Sequence, residues 1–461
     1  MDANKPLRQA VVLVHGIGEQ RPMQTLQGFV EGLFFVHDGR RRWWSRRCKH
    51  TSGGATRARF HSKPDKLTDT LELRRLALVG SDVERPTDFY ELYWAHLMHG
   101  TAWSHLSAWL TMLMWRWPAA AHWRVKTLWF VAWALVVAGV AAAVIWHRRF
   151  PDQSPQEWLG NGLIVALVAA LASWLANKVC LHYIGDAARY LSATPQNIGA
   201  RKDIRNAVIQ VLAKLHDEES RRYDRIVVVG HSLGSVIAYD ALTHLWQQRH
   251  SVIAKPPCMC AQPKLALERL AARTLCRQAA DRTNPPLYLD TVRNDFRAAQ
   301  QALWTEQRQM GVDWRISDLV TIGSPLTHAR FLLAGSGMEW AQMVRERVYP
   351  TCPPQRKDAR DRGLLVRRFF DGACKVHILH HAALFACTRW TNLYYASDPI
   401  GGPVGGCDRF GPGVSDVPIP PSGWQSRTLL AHVRYWSRGE EGARAALLDA
   451  LDLRIAPKHS A

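Results

Sequence analysis

Gly230-His231-Ser232-Leu233-Gly234 is the feature that most restricts how this chain can fold. It follows the apolar, β-branched run Arg225-Ile226-Val227-Val228-Val229. It precedes Ser235-Val236-Ile237-Ala238-Tyr239, a stretch compatible with a helix. Strand, sharp turn and helix form the context in which a serine is held as a nucleophile at the carboxyl edge of a parallel sheet. Small residues two positions either side of Ser232 let the chains pass closely, which accounts for Gly230 and Gly234. The helix that follows directs its N-terminal amides and its positive dipole end at the turn.

A serine hydroxyl is a poor nucleophile near neutral pH. It needs a histidine to take its proton and a carboxylate to orient that histidine and stabilise its charged form. In this kind of site the partners follow in the order nucleophile, acid, histidine. The expected acid is Asp398, at the end of the late strand in Thr391-Asn392-Leu393-Tyr394-Tyr395-Ala396-Ser397-Asp398, where Pro399 and two glycines shape the turn. Asp318 is the rival, but it opens the strand Asp318-Leu319-Val320-Thr321-Ile322 and belongs to the wrong end of the sheet. Asp408 and Asp416 lie in Gly/Pro-rich loop and are weaker rivals. The expected histidine is His432. Apart from His459 in the C-terminal tail, no other histidine follows Asp398; His328, His377, His380 and His381 all precede it.

Attack on an acyl carbonyl places negative charge on oxygen, and two preorganised N–H groups can stabilise it by about 3–4 kcal/mol per donor. The expected donors are the amide of Leu233, directly after the nucleophile, and that of Ile17. The second rests on the early strand Ala10-Val11-Val12-Leu13-Val14, which runs into His15-Gly16-Ile17-Gly18.

Together these motifs resemble those of the α/β-hydrolases, in their lipase and serine-esterase branch. The resemblance rests on Val14-His15-Gly16-Ile17-Gly18, the Ser232 turn, Thr321-Ile322-Gly323-Ser324-Pro325-Leu326, the segment Trp390 to Gly402, and His432 with Tyr435-Trp436. It covers about residues 8–35, 200–245, 315–335 and 385–437. It implies a mostly parallel central sheet flanked by helices, and acyl-ester hydrolysis with no metal or other cofactor. It leaves the substrate open, because one fold hosts many functions.

Composition adds a membrane. The chain of 461 residues has a formal net charge of +20 and 20 tryptophans. Basicity alone fits nucleic acid or an anionic membrane surface, whereas tryptophan settles at the water–lipid interface. No recognised nucleic-acid fold accompanies the charge, so no nucleic-acid partner is expected. From Thr127 to Trp146 no residue is charged. As a helix that run spans about 30 Å, the hydrocarbon thickness of a bilayer. A second apolar run, 158–176, follows a polar link containing Pro151 and Pro155. The strand carrying Ile17 and the turn carrying Ser232 must share one fold, so the crossings between them must be even, as a helical hairpin provides. The outer flanks carry Arg116, Arg124, Lys126, Lys178 and Arg189, against Arg148 and Arg149 in the connecting loop, partly offset by Asp152 and Glu157; the balance is expected to place the catalytic domain on the cytoplasmic side of a bacterial-type inner or cell membrane. The stretch 97–117 carries Trp103, Leu106, Leu110, Leu113 and Trp117 on one helical face and fits either an interfacial helix or one packed on the soluble domain.

The expected organisation is a hydrolase domain in pieces. Residues 1–95 form its N-terminal part, 96–190 the membrane region, and 191–245 the nucleophile part. An insertion, 246–315, is a candidate lid, as is about 335–388, and 316–461 complete the domain. Leu71 to Leu78 and Asp88 to Trp94 read as added strands, and 199–216 as an amphipathic helix. Arg40-Arg41-Arg42-Trp43-Trp44-Ser45-Arg46-Arg47 suits anionic headgroups as well as a solvated loop. Nine scattered cysteines fit a reducing compartment, and Cys258-Met259-Cys260 lacks the partners of a zinc site. The expected function is a membrane-anchored serine hydrolase acting on an acyl ester, most readily of a lipid. The alternatives are a non-catalytic membrane scaffold with a hydrolase shell, or a thioesterase, peptidase or acyltransferase using the same triad.

Overall fold

A computed structural model describes residues 7–17, 21–34, 59–64, 67, 73–79, 85–98, 190–191, 195–217, 223–252, 262–281, 283–334, 336–355, 364–370 and 374–453, with isolated positions between 115 and 148. In chain order its main elements are β1 (Gln9–Val14), α1 (Gln24–Phe34), β2 (Arg59–Pro64), β3 (Arg74–Val79) and β4 (Thr87–Leu92). There follow α2 (Pro195–His216), β5 (Arg225–His231), α3 (Leu233–Arg249), α4 (Gln262–Ala280), α5 (Pro286–Gln309) and β6 (Ile316–Ile322). The last are α6 (Gly337–Arg345), β7 (Leu365–Phe370), β8 (Cys374–Leu379), β9 (Arg389–Tyr394), β10 (Ser415–Pro418) and α7 (Glu441–Ala450).

Eight strands form one sheet in the order β10-β9-β6-β5-β1-β4-β3-β2. Pairing is parallel from β10 through β4 and antiparallel at β3 and β2. Helices cover both faces, giving an α/β architecture. The central strands β1, β5 and β6 are buried along their whole length, as their Val/Ile/Leu runs require when neither face meets water. Successive side chains serve opposite layers. Ala10, Val12, Ile226 and Val228 join α2, α3, α4, α5 and α6 in one core. Val11, Leu13, Val227 and Val229 join α1 and α7 in the other. Helix α3 lies against the sheet and is buried nearly all round from Leu233 to Trp246, so it is apolar on every side rather than on one stripe.

Several expectations change here. The segment 246–315 contains α4 and α5, and Leu265, Ala272, Leu275, Phe296 and Leu303 are built into the core. Both helices thus form a packed layer of the fold. The segment 335–388 contributes α6 and a separate β7–β8 hairpin. Strand β2 is a further strand at the antiparallel edge, and β10 is a further edge strand on the other side. Helix α2 and strands β3 and β4 agree with the sequence pattern to within a few residues. The run 158–176, most of 97–117, the Arg/Trp segment 40–49 and Cys258 to Cys260 lie outside the described residues. In the run from Thr127 to Trp146 the described positions are helical, and Phe130, Val137, Val140, Val144 and Ile145 are exposed. Among the described residues, no helix is long and apolar enough to cross a membrane.

Asp318 sits at the amino edge of the sheet, as its place in the strand predicts. It accepts hydrogen bonds from Arg225 at 2.6 Å and Arg389 at 2.8 Å, each near the start of its own strand. Burial opposes its charge, but Arg389 and Arg225 outweigh burial and hold the carboxyl far below the usual range. A group with a depressed folded pKa stabilises the fold above its ordinary value and loses that contribution as pH falls through the folded value. Asp318→Asn should therefore cost about 3–5 kcal/mol at neutral pH, since it removes the buried charge that pairs with both Arg225 and Arg389. Denaturant unfolding of parent and variant in detergent checks this. The gap should persist through mildly acidic pH and close only well below the ordinary carboxylate pKa of about 4.

Candidate active site

Strands β1 and β5 are direct neighbours, with Val14 in register with Gly230. Their carboxyl ends therefore open side by side, although most of the chain's first half separates them. The chain leaves β1 toward α1 on one face and leaves β5 toward α3 on the other. That divergence makes a crevice at the carboxyl edge, where α/β sheets bind ligands.

Ser232 stands in this crevice with φ 52° and ψ −129°. A non-glycine residue held there costs on the order of 1–3 kcal/mol, so the surroundings must over-determine it. They do: the Ser232 N–H donates to Ile322 O at 2.9 Å, and the Ser235 hydroxyl donates to Ser232 O at 2.5 Å. Close approach does the rest. A Cβ on Gly16 would fall 2.9 Å from Ser232 Cβ, and one on Gly234 would fall 2.2 Å from Val14 O. Only glycine lets the β1 loop lie against the nucleophile.

The remaining members arrive from the last third of the chain. The Ser232 hydroxyl donates to His432 Nε2 at 2.9 Å. His432 Nδ1–H donates to Asp398 Oδ2 at 2.9 Å and reaches Oδ1 at 3.1 Å. Asp398 follows the end of β9, so it hangs from the same sheet edge as Ser232. Burial resists its charge, but hydrogen bonds from His432, Tyr435 and a backbone amide overcome burial and hold the carboxyl at about 2. Asp398 is thus ionised throughout the neutral range. The other acids are spent elsewhere. Asp416 accepts from Asn392 and from the Val404 and Gly405 amides, and Asp408 pairs with Arg330.

Leu233 is the first residue of α3, where an N–H has no acceptor within its own helix. Ile17 follows Gly16 immediately. His15 fixes this loop from behind. Its Nδ1 donates to Gly16 O at 2.7 Å, and its Nε2 accepts from the Trp94 N–H at 3.2 Å. This needs a neutral ring, and burial supplies one by lowering its pKa to about 4.

Two participants carry no sequence signal of their role. Tyr435 donates to Asp398 Oδ2 at 2.6 Å and accepts from the Tyr395 N–H at 3.2 Å. It also lies over Gly323, whose φ of +55° and lack of a side chain leave room for the Asp398–His432 pair. His231 is buried and donates from Nε2 to the His432 carbonyl at 3.1 Å. Burial first, then the neighbouring His432, push its pKa down to about 3. It is a neutral strut between the nucleophile turn and the histidine loop. In sequence it looks like filler in the serine motif.

Such an arrangement can serve chemically as a nucleophile with its base and an orienting acid, with candidate oxyanion donors alongside. It contains no metal-ligand geometry: among the described residues, no cluster of His, Cys, Asp or Glu could hold a metal ion. Tyr435→Phe should keep the fold and slow reaction at Ser232 about tenfold, because a hydrogen bond to a buried charge is worth about 1.5–3 kcal/mol. The rate of serine phosphonylation measures this. A rate equal to that of the parent would show that Tyr435 is only packing.

No family model matches the chain, and comparison with curated proteins and with solved structures finds none that matches it.

Proposed function

We propose that the protein is a membrane-held serine hydrolase of the α/β-hydrolase type that cleaves acyl esters, with lipid esters as its substrate class. The observation that carries this reading is the continuous hydrogen-bonded line from Ser232 through His432 to Asp398, at 2.9 Å per link. Its position at the carboxyl edge of a mostly parallel sheet supports it.

In this reading Ser232 Oγ attacks the ester carbonyl as His432 Nε2 takes its proton. Asp398 holds the imidazolium that forms. The Leu233 and Ile17 amides stabilise the oxyanion. The tetrahedral adduct collapses, the C–O bond to the alcohol breaks, and His432 returns the proton to the leaving oxygen. Water then attacks the acyl-serine with His432 again as base, releasing the acid and restoring Ser232. A scaffold would gain nothing from holding Ser232 in a strained conformation with its hydroxyl aimed at a histidine.

The membrane reading rests on the segment between β4 and α2. Trp94 and Met98 before it, and Tyr190 and Leu191 after it, are buried in the same core. The chain therefore leaves one body and returns to it, which requires an even number of crossings. The apolar side chains exposed on the helical positions from Phe130 to Ile145 suit hydrocarbon better than water. With basic residues on both outer flanks, the hydrolase domain is assigned to the cytoplasmic side.

The full chain in vesicles should release fatty acid from an embedded ester. Ser232→Ala or His432→Ala should lower the rate by at least about 10³-fold. Unchanged release by Ser232→Ala would overturn the reading.

A further inference from the structure

The segment that carries His432 also carries an unusual surface. Trp424, Leu430 and Val433 are 69%, 50% and 63% exposed. Arg427 and Arg438 are exposed beside them. Two short 3-10 turns, Gln425–Arg427 and Leu429–Val433, build this surface. They are not slack. Ser426 is buried, its hydroxyl donates to Gly423 O at 2.9 Å, and its carbonyl accepts from Ser397, the neighbour of Asp398. Thr428 accepts from the Leu430 N–H at 3.3 Å and donates to Gln425 O at 2.8 Å. The apolar side chains thus project from a braced platform, and the same platform sets His432 on Ser232.

We propose that Trp424, Leu430 and Val433 form a rim that inserts into the interface of an anionic bilayer, with Arg427 and Arg438 on its headgroups, so that the crevice opens onto lipid. This rests on the hydrolase reading above and adds how that site meets its substrate. The composition fits a bilayer interface: one tryptophan and two aliphatic residues as the wedge, arginines at the phosphate level. The charge is complementary to anionic lipid, and a net charge of +20 draws the whole chain to such a surface. The platform is continuous with the catalytic histidine, so lipid at the rim is lipid at the mouth.

The test requires no turnover. The full chain is reconstituted in phosphatidylcholine–phosphatidylglycerol vesicles that contain a lipid with a diazirine in its acyl chain. After photolysis the adducts are mapped by peptide mass spectrometry. Adducts are expected on 424–434 as well as on 127–146. Trp424→Ser with Leu430→Ser should cut the rim adducts about tenfold and leave those on 127–146 unchanged, at an unchanged thermal midpoint. Arg427→Glu with Arg438→Glu should lose rim adducts in the anionic vesicles and match the parent in pure phosphatidylcholine. Adducts on 127–146 without any on the rim would overturn the proposal and give the surface to a protein partner. Absence of adducts from both segments would overturn it together with the membrane assignment. Rim adducts accompanied by failure of vesicle-ester hydrolysis would leave the docking surface standing and refute the hydrolase reading alone.

Discussion

The parallel pairing of β1 with β5 is the constraint on which the rest depends. It places the turn after β1 against the turn after β5, so that Gly16 touches Ser232. Everything between them in the sequence must leave and return without disturbing this contact. That includes an antiparallel sheet edge, a long apolar segment and α2. The burial of Met98 and Tyr190 in one core shows how the return is secured. A chain interrupted in this way can still make one crevice, because strand order and not sequence distance decides which loops meet.

The crevice then spends stability gained elsewhere. Ser232 is strained, Asp398 is a buried charge, and His15 and His231 are buried imidazoles that must stay neutral. Each is tolerable because its polar atoms have partners. Asp398 takes three donors, from His432, Tyr435 and the Ile400 amide. Such a network is held open by two apolar cores on either side of the sheet. The same logic separates Asp318 from Asp398. Both are buried and ionised, yet one is locked between two arginines at the amino edge and the other faces a histidine at the carboxyl edge.

Much of this was legible in the sequence, for physical reasons. The strands β1, β5 and β6 are buried on both faces, so they appear as unbroken apolar runs next to turn residues. The order of Ser232, Asp398 and His432 follows from how such a sheet is wound. What was not legible has the opposite character. Strand β2, Arg59-Phe60-His61-Ser62-Lys63-Pro64, is an edge strand whose only large apolar residue is Phe60. Strand β10 is four residues inside a glycine- and proline-rich loop. Their pairing is decided by neighbours rather than by pattern. Helices α4 and α5 read as an insertion and candidate lid because each buries only a narrow stripe. Tyr435 and His231 act through contacts between segments far apart in the chain, which no local pattern encodes.

The central claim is that Ser232 is a nucleophile activated by its neighbours, and the site of covalent attack tests it most directly. The folded full chain is treated with a fluorophosphonate, digested, and the modified residue is located by tandem mass spectrometry. The account predicts one phosphonyl group, on Ser232, formed rapidly at neutral pH and abolished by unfolding. Modification of a different serine, or none on the folded chain, would contradict it.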